Sequence, residues 1–367
     1  MSVFDIEGSN NTRLFFDGGV GVARYDKVKY PFLEKLVVKQ LNFRWRPERI
    51  DIVRDKSDFK SLTDAEKHIF TSNLKRQIVL DSVQGRAPAA VLGPICSQPE
   101  LENWLTEWTE SETLHSRSYT HIIQNIYAKP GVVFDEITDI PEIVECIDSI
   151  SKYYDDLADM NTRRAAFELG LINKSQYDEY EHKKALWLCL NAINALEGVR
   201  FYVSFACSWA FAEMKKMEGN AKIIKEICRD ENLHLAGTQQ LIKMLPKTDP
   251  DFVRIEAECA DEVIKIWMLV IAQEKNWAVY LMKFGAMLGL NATVLGDYVE
   301  WIAHKRMVAL GIKPPFKAAH NNPLSWTEKW IAGRDVQVAP QEVAVDAYLE
   351  SAVTNDTKAG QFASFEL

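Results

Sequence analysis

The chain has 367 residues, 47% of them hydrophobic and 26% charged, a globular composition long enough to bury a sizeable core in one large domain or two smaller ones. Its net charge is −9, its pI is near 5.4 and it has no basic tract, which argues against nucleic acid and anionic membrane as partners. The N-terminus lacks a basic stretch followed by an apolar one, so it is not read as a signal peptide, and the six cysteines, none spaced as Cys-x-x-Cys, read as buried free thiols in a reducing, cytoplasmic compartment.

Residues 1–25 are rich in Gly and Asn and are expected to be loosely ordered; a helical domain is expected over 26–340 and a flexible tail over 341–367. Residues 30–44 read as a short amphipathic helix, which Pro47 ends just after Trp45. Thr63-Asp-Ala-Glu66 is a capping box opening a helix to about Gly85. Ser97-Gln-Pro-Glu100 reads as a second one, opening a helix that runs to Pro130-Gly131. Further helices are expected over 140–169, 176–215, 219–245, 252–286 and 291–310, with a break at Pro314-Pro315. β-branched alternation is scarce, so the fold class is all-α. The run from Ala185 to Ala212 is long enough to span a bilayer, but Asn191, Asn194, Glu197 and Arg200 cluster in its middle, where burial in lipid costs most. It reads as the central helix of a soluble bundle. From about Val343 the periodicity stops, and the tail is polar but ends in Phe362, Phe365 and Leu367. It is either a frayed terminus or a segment that folds onto a partner.

The stretch from Thr106 to His121 holds Glu112, His115 and Tyr119. At about 100° per helical residue, His115 lies about 60° and Tyr119 about 20° from Glu112, so all three share one stripe. Glu-x-x-His is a metal-ligand spacing on helices, but one match alone carries little. The chain has three, and Glu179/His182 lies in the charged YDEYEHKK, which reads as a solvated helix face. Glu112/His115 and Glu231/His234 differ, because each follows a hydrophobic helix carrying a lone acid, Asp81 or Glu197. Two helical hairpins of this kind build a four-helix bundle with six inward ligands, the pattern of ferritin-like di-metal carboxylate proteins. Four carboxylates and two neutral imidazoles carry about −4, which balances two divalent cations. Mixed O/N ligands suit iron or manganese. The rival reading gives each acid its own buried salt bridge, for example Glu197 with Arg200.

Four stretches, SETLHSRSYTHII, NALEGVRFYVSFACSWAFAE, EGNAKII with RDENLHLAGTQ, and VQVAPQEV, together resemble the small, radical-generating (β) subunit of class Ia ribonucleotide reductase. The resemblance runs from about Val22 to the C-terminus. It implies a ferritin-like bundle, a homodimer, and two iron ions per chain, with manganese as the possible replacement. By this resemblance the ligands are Asp81, Glu112, His115, Glu197, Glu231 and His234, with Glu112 and Glu231 bridging. Tyr119 matches the tyrosine that becomes a stable radical, and Phe201, Phe205 and Ile227 match the apolar pocket around it. Trp45 and Asp230 match the inner part of a radical-transfer path; Glu342 and Tyr348 match its outer part. The last residues match the tail that docks on the large subunit, where ribonucleoside diphosphates are reduced. The charged, apparently helical stretch from Phe167 to Lys184 departs from some relatives. A stand-alone di-metal oxidase and an iron-storage protein remain as rival classes.

Overall fold

The computed structural model describes residues 4–287 and 289–331. Its helices are α1 (Pro31–Asn42), α2 (Val53–Ser61), α3 (Asp64–Gln84), α4 (Ala87–Leu92), α5 (Pro99–Ile126), α6 (Pro130–Asp135) and α7 (Pro141–Glu168). They continue with α8 (Glu179–Ala195), α9 (Tyr202–Glu213), α10 (Glu218–Thr248), α11 (Asp251–Glu258), α12 (Ala260–Leu281), α13 (Ala292–Ala309) and α14 (Glu328–Ile331). Between α8 and α9 the chain makes one widened π turn, Leu196–Arg200. Among the described residues there is no strand, only two isolated bridges.

The capping box at α3 forms as expected: Thr63 Oγ1 accepts from the Glu66 backbone N–H at 3.2 Å, and Glu66 accepts from that of Thr63 at 2.8 Å. The second does not. The cap of α5 is Gln98, whose side chain makes no capping bond to the helix. Ser97 is drawn away to residues 17 and 18, and Glu100 accepts the backbone N–H groups of Lys29 and Tyr30, each at 2.9 Å. The N-terminal segment also differs from expectation. Leu14, Phe15 and Phe16 are buried, and Gln98 donates to the carbonyls of Asn11 and Arg13. Three consecutive apolar residues anchor what the Gly and Asn content marks as loose.

α3 and α5 pack as an antiparallel pair: Thr71 meets Tyr127 at 2.6 Å, while Gly85 lies beside Thr113. α10 runs antiparallel to α8 and α9, with Asn194 bonded to Thr238 at 2.6 Å and Tyr202 to Asn232 at 3.0 Å. The two pairs close on each other where Gly237 leaves room for Trp104; a Cβ there would stand 2.9 Å from the indole. The polar residues of the 185–212 run are all buried, and no helix among the described residues is long and apolar enough to cross a membrane. The 167–184 stretch is not one helix: α7 ends at Glu168 and α8 starts at Glu179.

The sequence reading places no helix at α2, yet α2 carries Asp55, 1% exposed. Its carboxylate accepts the backbone N–H groups of Gly219 and Asn220 at the start of α10, a cap supplied by tertiary contact. Burial, with Asp58 and Asp51 nearby, pushes its pKa up to about 6 against those two bonds. Between its ordinary value of 3.8 and about 6 the folded chain holds more protons at this carboxyl than the unfolded chain. This contribution to stability therefore falls as pH rises through that window. The stability of the parent relative to Asp55→Asn, from urea unfolding, should shrink between about pH 4 and about pH 7. A constant difference would contradict the assignment.

Candidate metal centre

Six ligand-type side chains come from four segments: Asp81 from α3, Glu112 and His115 from α5, Glu197 from the π turn, Glu231 and His234 from α10. All are 0% exposed. They form two groups in which the ligand atoms all lie within 4.8 Å of one another: Asp81, Glu112, His115 and Glu231, and Glu112, Glu197, Glu231 and His234. Glu112 and Glu231 belong to both.

The contacts are close but poorly formed as hydrogen bonds. His115 Nδ1 stands 3.1 Å from Glu231 and 3.4 Å from Glu112; His234 Nδ1 stands 2.7 Å from Glu112 and 3.5 Å from Glu231. Nevertheless both Nδ1 atoms, both oxygens of Asp81 and of Glu231, and one oxygen each of Glu112 and Glu197 have no hydrogen-bond partner. Buried lone pairs left unpaired in this number are expensive. Atoms that converge without bonding one another fit a set that binds cations lying between them.

The rival salt-bridge reading fails at its own example. Arg200 turns away from Glu197 to Gln273 at 2.8 Å, Ser149 at 2.9 Å and the Cys146 sulfur at 3.1 Å. The π turn permits this, since one extra residue rotates Glu197 and Arg200 to different faces. The third Glu-x-x-His pair is a partial correction. Glu179 is exposed, but His182 is buried, bonded to Tyr177 and Asn161. Burial and Arg164 push its pKa down to about 3, so it is a neutral core histidine.

A family model described as ribonucleotide reductase, small chain, matches residues 23–323. The ribonucleoside-diphosphate reductase subunit beta of Buchnera aphidicola subsp. Baizongia pistaciae is 49% identical over 360 residues, covering 96% of each chain. The ribonucleoside-diphosphate reductase 1 subunit beta of Escherichia coli O157:H7 is 48% identical over 360 residues, with the same coverage. The chain belongs to the ribonucleotide reductase small-chain family. A solved ribonucleotide reductase R2 subunit from Clostridium botulinum matches with a TM-score of 0.76 at 23% identity, over 90% of this chain and 98% of that one. A dimanganese(II) protein from Streptococcus sanguinis matches with a TM-score of 0.69 at 17% identity, over 84% and 99%. These two share the fold, which is the ferritin-like bundle expected from the two hairpins.

The chain is therefore the small subunit of a ribonucleoside-diphosphate reductase, an oxidoreductase that acts with a large subunit; small subunits of this family are typically dimeric. The site is a buried carboxylate and histidine centre of a di-metal family.

Without cations, the site is electrostatically frustrated. Burial and then Glu112 and Glu231 hold the Asp81 carboxyl well above its usual range; burial and then Glu231 and Glu112 do the same to Glu197. Burial opposes ionisation of Glu231 too, yet contacts with Glu197, His115 and His234 lower it. Both imidazoles are raised against burial, His115 chiefly by Asp230 and His234 to about 9 by Glu112. Protons thus do part of the neutralising that metal ions do in a loaded site.

Several supporting residues escaped the sequence reading. Gln84 donates to Glu197 and accepts from Tyr154; Trp108 donates to Glu112 at 2.9 Å. Gln84 stands three residues after Asp81 and Trp108 four before Glu112, spacings that place them beside a ligand once the ligand is known. Trp45 and Asp230 are brought together: the indole donates to Asp230 at 2.8 Å, and Asp230 meets His115 Nε2 at 3.1 Å, leaving Nδ1 for the cluster. Tyr119, Phe201, Phe205 and Ile227 are all 0% exposed, and the Tyr119 hydroxyl has no hydrogen-bond partner. Glu342 and Tyr348 lie outside the described residues.

A ligand that binds only the folded chain raises its unfolding temperature. Ferrous or manganous ion should do so for the metal-free protein in anaerobic calorimetry, and Glu231→Ala, which removes an acid common to both groups, should abolish the rise. An equal rise in the variant would place the metal elsewhere.

Proposed function

We propose that Asp81, Glu112, His115, Glu197, Glu231 and His234 bind two metal ions per chain, iron with manganese as an acceptable replacement. The observation that carries this reading is the pair of groups sharing Glu112 and Glu231, each with one imidazole of its own. Glu112 and Glu231, common to both groups, would be available to both ions. When bound, the ions supply with molecular oxygen the power to remove one electron from a tyrosine.

That tyrosine is Tyr119. Burial first, and then Asp81, raise its pKa well above 10.0, so the phenol is protonated at neutral pH and must lose its proton with the electron. Asp81, whose own proton the bound ions would displace and whose oxygens have no other hydrogen-bond partner, would be the proton acceptor. The resulting neutral radical lasts because apolar Phe201, Phe205 and Ile227 keep water and dissolved reductants from touching it directly.

Trp45 and Asp230 form the inner part of the exit. Asp230 orients the indole N–H of Trp45 and the imidazole of His115 at once, which ties the outer aromatic to the cluster. Glu342 and Tyr348 continue the path. The tail over 341–367 docks on the large subunit, which reduces the ribonucleotide. Two copies of the chain pair, and the complex works in the cytoplasm.

Reconstitution with ferrous iron and oxygen should give a tyrosyl signal in electron paramagnetic resonance. Tyr119→Phe should abolish it while keeping the bound metal; a surviving signal refutes the assignment. Trp45→Phe should keep the signal and lose reductase activity. Truncation after Ala347 should likewise keep the signal and lose sedimentation with the large subunit, and retained binding would exclude the tail as the docking element.

A further inference from the structure

Three tryptophans among the described residues donate their indole N–H to a carboxylate: Trp45 to Asp230 at 2.8 Å, Trp108 to Glu112 at 2.9 Å and Trp330 to Glu213 at 2.9 Å. The first two carboxylates belong to the metal centre or touch its His115. The third does not, and nothing in the function above uses it.

A line of rings leads to it. α9 and the residue before it carry Phe201, Phe205 and Trp209 at four-residue intervals, one face of the helix, starting one turn beyond Glu197. Phe201 stacks on Phe205 with centroids 5.5 Å apart, Phe205 meets Trp209 at 5.6 Å, and Trp209 stacks on Trp330 at 6.0 Å with planes 7° apart. Trp209 is 0% exposed and its Nε1 has no acceptor. An oxidised Trp209 therefore cannot shed its proton, and a positive charge there is penalised by burial. Trp330 can shed its proton, because the Glu213 side chain accepts its N–H and is 35% exposed to water.

We propose that Trp330, with Glu213 as its base, is the outer end of a second electron route, which discharges stray oxidising equivalents from the core through Trp209 to the surface. This rests on the reading that the core generates a one-electron oxidant. The step balances as follows. One electron leaves the Trp330 indole and reaches the Tyr119 phenoxyl, and the proton that Asp81 took returns to complete the phenol. The Nε1 proton of Trp330 passes to Glu213 Oε1 and on to water. The neutral indole radical then takes one electron from a donor in solution, of the ascorbate type, and a proton back through Glu213, which restores the indole. Cys207 and Cys228, buried on α9 and α10, are among the side chains spared.

The test is the decay of the tyrosyl signal under ascorbate, in the parent, Trp209→Phe, Trp330→Phe and Glu213→Gln, at matched metal and radical content. The route predicts that all three variants hold the signal several-fold longer than the parent. Peptide mass spectrometry of the same samples after repeated cycles of reduction and oxygen should show more oxidised Cys207 and Cys228 in the variants. If the two tryptophans serve only packing, their loss loosens the core and the signal decays faster, the opposite sign. Unchanged or faster decay with unchanged thiol oxidation overturns the proposal. Absence of any tyrosyl signal in the parent overturns the Tyr119 reading and this route with it.

Discussion

Four carboxylates and two imidazoles, all at zero exposure, meet in one interior with most of their facing atoms unpaired. That convergence is the constraint on which the rest of the structure depends. Charges so placed repel one another strongly in a low-dielectric core, and desolvation alone disfavours each carboxylate. The raised Asp81 and Glu197 show how the metal-free chain answers, by holding protons. The helices cannot answer by moving apart, because α3 lies along α5, α10 lies along α8 and α9, and the contact of Gly237 with Trp104 draws the two pairs together. The bundle maintains a set of donors that only cations fully satisfy.

The centre is joined to its surroundings by residues that are individually unremarkable. Asp230 is one buried acid, but it links His115 to Trp45 and so connects the cluster to the margin of the core. Tyr119 is one buried phenol, four residues from His115 on the same helix, with a hydroxyl that has no fixed partner. The π turn at Leu196–Arg200 aims Glu197 into the cluster and Arg200 away from it, with the buried guanidinium held by Ser149 and Gln273. Each placement follows from helical period plus one local departure from it.

Much of this was legible in the sequence because the centre is periodic. The i, i+3 spacing of Glu112 with His115 and of Glu231 with His234 survives any error of a few residues in helix ends, and a lone acid in an apolar helix is conspicuous. What was not legible depends on tertiary contact. The Ser97 box looked local, but Ser97 and Glu100 are engaged by residues 17–18 and 29–30. The segment around Leu14 to Phe16 looked loose by composition, and the core holds it. His182 looked solvated because its neighbours in sequence are charged, yet its neighbours in space are Tyr177, Asn161 and Phe16. The π turn has no residue signature, so a single helix over 176–215 was the natural expectation.

The central claim is that the six residues form one site for two ions sharing Glu112 and Glu231. Anomalous diffraction from crystals loaded with iron or manganese under anaerobic conditions tests it most directly. Two peaks per chain are predicted, one beside His115 and Asp81, the other beside His234 and Glu197, with Glu112 and Glu231 reaching both. A single peak, or peaks outside these six side chains, would contradict it.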